Sequence, residues 1–163
     1  MTLQIRPIDA SDSAAIGAII RAVGQEFGAI GEGFGPSDPE VAAMHRHYGN
    51  DGRSCYLVAC LDGKIVGGGG IAPLDDASAT CELKKLFLLP VARGQGIGRQ
   101  LSERCLVFAR QAGYRRCYLD SLRSMHAAIA LYGQLGFETL TAPLDCSIHS
   151  GCDIWMLKSL ASH

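Results

Sequence analysis

The chain lacks any apolar run approaching the roughly 20 residues of a membrane-crossing helix, and its start, Met1-Thr2-Leu3-Gln4-Ile5-Arg6, has no signal-peptide core. Neither secretion nor membrane insertion is expected, and a cytoplasmic protein is. It also lacks a basic tract. With a formal charge of −1 over 163 residues, nucleic-acid binding through the whole surface has no electrostatic support. Lys84-Lys85 and Arg115-Arg116 are isolated pairs, expected as solvated charge at strand edges and loop ends. No C-x-x-C pair occurs among the seven cysteines, at 55, 60, 81, 105, 117, 146 and 152. Cys55, Cys60, Cys81 and Cys117 fall in apolar strand-like runs and Cys105 on a helix stripe, which suits buried thiols in a reducing compartment. Cys146, His149 and Cys152 are spaced as metal ligands might be, but no fourth ligand accompanies them where structural zinc takes four, so no metal is expected. His45 and His47, two apart on a helix, point to different faces. Repeats, linkers and low-complexity segments are absent, and from Ala22 to His45 there is no Lys or Arg.

What is present is 48% apolar residues, enough for the core of one domain spanning residues 1–163. Leu3 to Ile8 reads as a strand. A helix from about Asp12 carries Ile16, Ile19, Ile20, Val23 and Phe27 at helical spacing, with Ser11 as its cap. After a glycine-rich connection, Gly28 to Pro36, a second helix is expected with Asp38 as N-cap and Pro39 as first residue, ending near Gly49. Ser54 to Leu61 and Ile65 to Ala72 form a hairpin across Asp62-Gly63, and Asp75 to Ser78 makes the next turn. Thr80 to Leu89 is the fourth strand, Gly98 to Ala112 a helix, and Cys117 to Ser121 the fifth strand. Met125, Ala128, Ile129, Tyr132 and Leu135 mark the stripe of another helix that Gly136 can end, before strands at Phe137 to Thr141 and Asp153 to Leu157.

The most informative residues are Arg93-Gly94-Gln95-Gly96-Ile97-Gly98, between an apolar strand and an amphipathic helix. Backbone N–H groups at a helix start have no intrahelical acceptor and the dipole is positive there, so an anion is favoured. Glycines let a diphosphate lie against the main chain, and Arg93 and Arg99 add charged donors on either side. Two patterns compete. A G-x-G-x-x-G dinucleotide fingerprint begins at Gly94 and Gly96 but meets Arg99 at its last position, although Asp120 lies at about the distance of a ribose-binding acid. The pattern Q/R-x-x-G-x-G/A is met in full by Arg93, Gly96 and Gly98.

That second pattern resembles the pyrophosphate loop of the GNAT superfamily of acyl-CoA-dependent N-acyltransferases. Cys81-Glu82-Leu83-Lys84-Lys85-Leu86-Phe87-Leu88-Leu89-Pro90 resembles the family's fourth strand, and Ala127 to Phe137 its A-x-x-L-Y-x-x-x-G-F segment. The resemblance implies a mixed α/β fold with a mostly antiparallel sheet of six to seven strands, splayed between strands 4 and 5 and flanked by about four helices. It implies that the pantetheine arm pairs with the main chain of Leu86, Phe87 and Leu88, and that the backbone of Arg93, Gly94, Gln95, Gly96, Ile97, Gly98 and Arg99 receives the diphosphate. Glu82 stands eleven residues before Arg93, the separation of the strand-four glutamate that some members use as general base. A carboxylate in an apolar strand is partly desolvated, which raises its pKa, although an ion pair with Lys84 is an equal alternative. Tyr132 matches the tyrosine that protonates the coenzyme sulfur, a phenol with a pKa near 10 against about 8.5 for a thiol. One departure is Met125, where members often carry Asn, with Ser124 or His126 as substitutes for the lost coenzyme contact.

The implied activity is transfer of an acetyl group from acetyl-CoA, without a metal, to a primary amine of a small molecule in a direct ternary complex. Glu26 and Glu32, in the stretch free of basic residues, would receive a cationic acceptor, with His149 lining the pocket. Alternatives are a non-catalytic acyl-CoA sensor or interaction module, a protein-lysine or N-terminal acetyltransferase, and a Rossmann-type dinucleotide enzyme. A homodimer is left open.

Overall fold

A computed structural model describes residues 2–29, 31, 33–48, 52–74, 79–144 and 151–160. Strands β1 (Leu3–Pro7), β2 (Cys55–Leu61), β3 (Lys64–Pro73), β4 (Thr80–Leu88), β5 (Arg116–Ser121), β6 (Glu138–Thr139) and β7 (Ile154–Ser159) form one sheet in the order β1-β2-β3-β4-β5-β7-β6. Helices α1 (Ser13–Glu26), α2 (Met44–His47), α3 (Ile97–Gln111) and α4 (His126–Gln134) accompany it. Every strand pairing is antiparallel except β4 with β5, which are parallel and meet only over Thr80↔Arg116, Cys81↔Cys117 and Glu82↔Tyr118. Beyond Glu82 the strands part. This is the expected mixed α/β sheet with its splay between strands 4 and 5.

Alternation along β2 shows how the faces are covered. Tyr56, Val58 and Cys60 pack with Ile16, Ile20 and Val23 of α1 and Met44 of α2, whereas Cys55 and Leu57 join the core that holds Cys105 and Leu106 of α3 and Tyr132 of α4. The hairpin turn is as expected, with Asp62 at φ +50 and Gly63 at φ +83, the twist that tight hairpins favour. Gly136, at φ +97, ends α4. The cysteines at 60, 81, 105 and 117 are buried free thiols, and Arg115 and Arg116 are exposed.

Several elements differ from expectation for local reasons. The chain enters α1 through a 3-10 turn, Ala10–Asp12, capped by Asp9 rather than by Ser11, with Asp12 reaching back to the Asp9 N–H at 2.9 Å. Arg6 fixes Asp12 through hydrogen bonds of 2.6 and 3.0 Å. The expected second helix is a 3-10 segment, Pro39–Ala43, followed by the single turn of α2. The segment is drawn out because Asp38 and Glu40 reach across to β4. Strand β6 keeps only Glu138–Thr139, and β7 runs on to Ser159. The turn expected at 75–78 lies outside the described residues.

A bulge interrupts β4. Lys84 pairs with Gly70 and Phe87 with Gly68, so Lys85 and Leu86 together face the single residue Gly69. Lys85 sits at φ +53, a left-handed conformation that a residue with a Cβ seldom adopts.

Candidate active site

The loop before α3 carries two glycines in the left-handed region. Gly94 and Gly96 have φ of +76 and +79, and Gly96 turns the chain directly into α3. A Cβ at Gly98 would meet Leu88 and Leu131 at 3.5 Å, ordinary contact, so space between protein atoms does not require that glycine. The loop, β4 and the start of α4 enclose a cavity of about 330 Å³ that Leu86, Phe87, Leu88, Gly94, Gly96 and Gly98 help to line. Gln95 folds back to donate from Nε2 to the Val91 carbonyl at 2.8 Å.

Arg93 and Arg99 both border this cavity, and each also has partners within the protein. Arg93 donates from Nε and Nη2 to the Leu88 carbonyl at 3.1 and 2.9 Å, and from Nη1 and Nη2 to Glu26 at 2.6 and 2.8 Å. Its guanidinium also lies 5.2 Å from the Phe27 ring centroid. Hydrogen bonding to Arg93 holds the Glu26 carboxyl below its ordinary range. Glu26 therefore ties the end of α1 to the phosphate loop and does not line the cavity that holds Glu82. Arg99 rests on Gln134 and on Glu103, 3.7 Å away. Glu32 and His149 lie outside the described residues.

Where β4 and β5 part, a second cavity of about 60 Å³ opens, bordered by Phe34, Pro36, Glu82, Asp120, Tyr132 and Cys152. It shares Leu86, Phe87 and Met125 with the first. Glu82 alternates with Cys81 and Leu83, which belong to the core on the α3 and α4 side, so its carboxylate faces the α1 side. Tyr132 belongs to that α3 and α4 core. The two side chains thus approach the gap from opposite faces of the sheet. Glu82 is 7% exposed and Tyr132 6%. Burial pushes the Tyr132 phenol well above its ordinary pKa, so it stays protonated as a hydrogen-bond donor.

Lys84 and Lys85, expected as solvated charge, instead form an ion cluster in which Lys85 is buried and Lys84 half-buried. Lys84 Nζ lies 3.1 Å from Glu40, and Lys85 Nζ 2.9 Å from Asp38 and 3.3 Å from Glu40. The bulge sends both side chains to one face, where the 3-10 segment supplies two carboxylates. Burial works to lower the Lys84 ammonium, but Glu82 and Glu40 outweigh it and raise its pKa. Lys84 therefore feels the Glu82 charge while its salt bridge is to Glu40.

Asp120 and Cys152 had no role in the sequence reading of this site. Burial, then the carboxylate of Asp120 to which its thiol is hydrogen-bonded, pushes the Cys152 thiol well up and makes it inert as a nucleophile. Alternation along β5 carries a signal for Asp120, since it shares a face with Tyr118, the parallel partner of Glu82. At the position often held by Asn, Met125 lines both cavities, and the Ser124 hydroxyl donates to the Phe27 carbonyl at 3.0 Å. Among the described residues no group of three or more His, Cys, Asp or Glu could hold a metal, and no helix is long and apolar enough to cross a membrane.

Residues 23–137 match the model of the acetyltransferase (GNAT) family. The chain belongs to this family. It is an acetyl-CoA-dependent N-acyltransferase, and the GNAT loop, splay and α4 segment lie where the resemblance put them. It is 38% identical over 158 residues to an uncharacterized N-acetyltransferase, YjgM, of Escherichia coli K12, covering 96% of this chain and 94% of that protein. The GNAT fold recurs in an acetyltransferase from Staphylococcus aureus Mu50, with a TM-score of 0.81 at 20% identity over 98% of this chain and 100% of that one. It recurs in yncA of Salmonella typhimurium, solved with acetyl-CoA, with a TM-score of 0.79 at 21% identity over 100% of this chain and 96% of that one.

Proposed function

We propose that this GNAT enzyme transfers an acetyl group from acetyl-CoA to a primary amine of a small molecule by direct attack in a ternary complex. The observation that carries this reading is the meeting of the two cavities at Leu86, Phe87 and Met125, with Glu82 and Tyr132 both bordering the smaller one. Acetyl-CoA would supply the thioester carbonyl. The main chain from Gly94 to Gly98 would hold its diphosphate, and the backbone of Leu86 to Leu88 would pair with its pantetheine amides. Glu82 takes one proton of the incoming ammonium through water, leaving a lone pair that forms the new C–N bond as the C–S bond breaks. The second proton shed by nitrogen ends on the coenzyme thiolate. Tyr132 donates a hydrogen bond to the leaving sulfur, and its raised pKa makes it a stabiliser of that charge before it becomes a proton source. Among the described residues the cysteine bordering the smaller cavity, Cys152, is kept as a thiol by burial and by Asp120, which agrees with a single displacement.

Size and charge support a small cationic acceptor. A space of about 60 Å³ holds the amino end of a small molecule. Glu82 and Asp120 border it, while the ammonium groups of Lys84 and Lys85 are matched by Asp38 and Glu40. A non-catalytic acyl-CoA sensor has no need of an acid and a base on opposite sides of the gap. The test is thiol release from acetyl-CoA across amino acids, polyamines, aminoglycosides and lysine peptides. A small amine should give the highest kcat/KM; a lysine peptide exceeding every small amine would overturn the acceptor class, and acyl-enzyme formation would overturn direct transfer.

A further inference from the structure

Tyr56 borders neither cavity, yet it reaches the strand that lines both. It stands on β2, 1% exposed, and its hydroxyl crosses beneath β3 to donate to the Lys85 carbonyl at 2.8 Å. Glycines make that crossing possible. A Cβ at Gly68 would lie 2.6 Å from Tyr56 Cε1 and 2.9 Å from its hydroxyl, and one at Gly70 would lie 2.7 Å from Cδ2. The carbonyl it holds belongs to the left-handed residue of the β4 bulge, whose ammonium is clamped by Asp38 and Glu40. Backbone and side chain of Lys85 are thus fastened from two directions.

A trans peptide is planar, with its C=O and N–H pointing opposite ways, so fixing the Lys85 carbonyl also fixes the direction of the Leu86 N–H. Leu86, the second residue of the bulge, is where β4 begins to line the large cavity. We propose that Tyr56 is a positioning residue for coenzyme binding, which aims the β4 main chain from Leu86 onward into the cleft by holding the Lys85 carbonyl away from it. This rests on the reading that Leu86 to Leu88 pair with the pantetheine arm. Burial pushes the Tyr56 phenol well above its ordinary pKa, so it is a donor at neutral pH.

The variant Tyr56→Phe keeps the ring in its glycine slot and removes only the donor. Calorimetry with coenzyme A should show affinity about tenfold weaker, the scale of one buried hydrogen bond. The KM for acetyl-CoA should rise in parallel, with the acceptor KM unchanged. Val58→Ala, a truncation on the same face of the same strand, should lower the Tm while leaving coenzyme affinity at the wild-type value. Wild-type affinity in Tyr56→Phe, or an equal loss in Val58→Ala, would overturn the inference. A wild-type protein that binds no coenzyme A would instead overturn the functional reading beneath it.

Discussion

The two halves of the cleft are made in opposite ways. On the proposed coenzyme side most of the lining falls in one stretch from Leu86 to Arg99, closed by Val23 and Phe27 at the end of α1 and by Ala127, Ala128 and Leu131 of α4. The side chains of Gln95 and Arg93 also hydrogen-bond the protein itself. On the acceptor side the lining comes from distant places, with Phe34 and Pro36 before the 3-10 segment, Glu82 on β4, Asp120 on β5 and Cys152 before β7. In the proposed reading the first half would present mostly backbone geometry to the coenzyme, and the second would present side chains to the acceptor. Substitutions should therefore separate the halves cleanly.

The largest effects belong to the gap between them. Glu82→Gln and Tyr132→Phe should each lower kcat by about 100-fold or more, the usual range for general acid–base groups, with coenzyme affinity unchanged by calorimetry. Next comes the ion cluster. Lys85→Ala leaves Asp38 and Glu40 short of a partner and should cost up to ~3–5 kcal/mol in thermal or urea unfolding. The same cluster gives stability a pH dependence. Burial works to raise the Glu40 carboxyl, but Lys84 and Lys85 outweigh it and hold its pKa below the ordinary carboxylate value, so its contribution is complete above that ordinary value and is lost as pH falls through the folded pKa.

Smaller is Gly96→Ala, which forces a Cβ onto a residue at φ +79. The strain is about 1–2 kcal/mol, and it should appear as weaker coenzyme binding with the acceptor KM unaffected. Smallest is Glu26→Gln. Freeing Arg93 from an exposed ion pair should change coenzyme A affinity by less than about threefold, toward tighter binding, as expected for surface pairs. A tenfold loss there would show that the Glu26 tie organises the loop.

Legibility in the sequence followed the same division. The phosphate loop, the β4 strand and the α4 helix with its Gly136 stop are each written in contiguous residues, so periodicity and glycine placement revealed them. Glu82 and Tyr132 were singled out by fixed offsets within such stretches, and the structure brings both to the smaller cavity. The bulge was hidden, because nothing local distinguishes Lys84 from Lys85 until Asp38 and Glu40 arrive from more than 40 residues away. That distance is why a charged pair read as solvated is in fact held in an ion cluster, and why a helix expected after Asp38 is a drawn-out 3-10 segment. Glu26 stood in an acidic region of the sequence and met its cation only in three dimensions.

The central claim is that main-chain groups opening α3 grip the diphosphate of coenzyme A, and it is tested most directly by calorimetry with coenzyme A beside pantetheine, which carries the same thiol arm without diphosphate or nucleotide. The account predicts saturable binding of coenzyme A and affinity for pantetheine at least about 100-fold weaker, the equivalent of two buried hydrogen bonds. Equal affinity for the two, or no binding of coenzyme A, would contradict it.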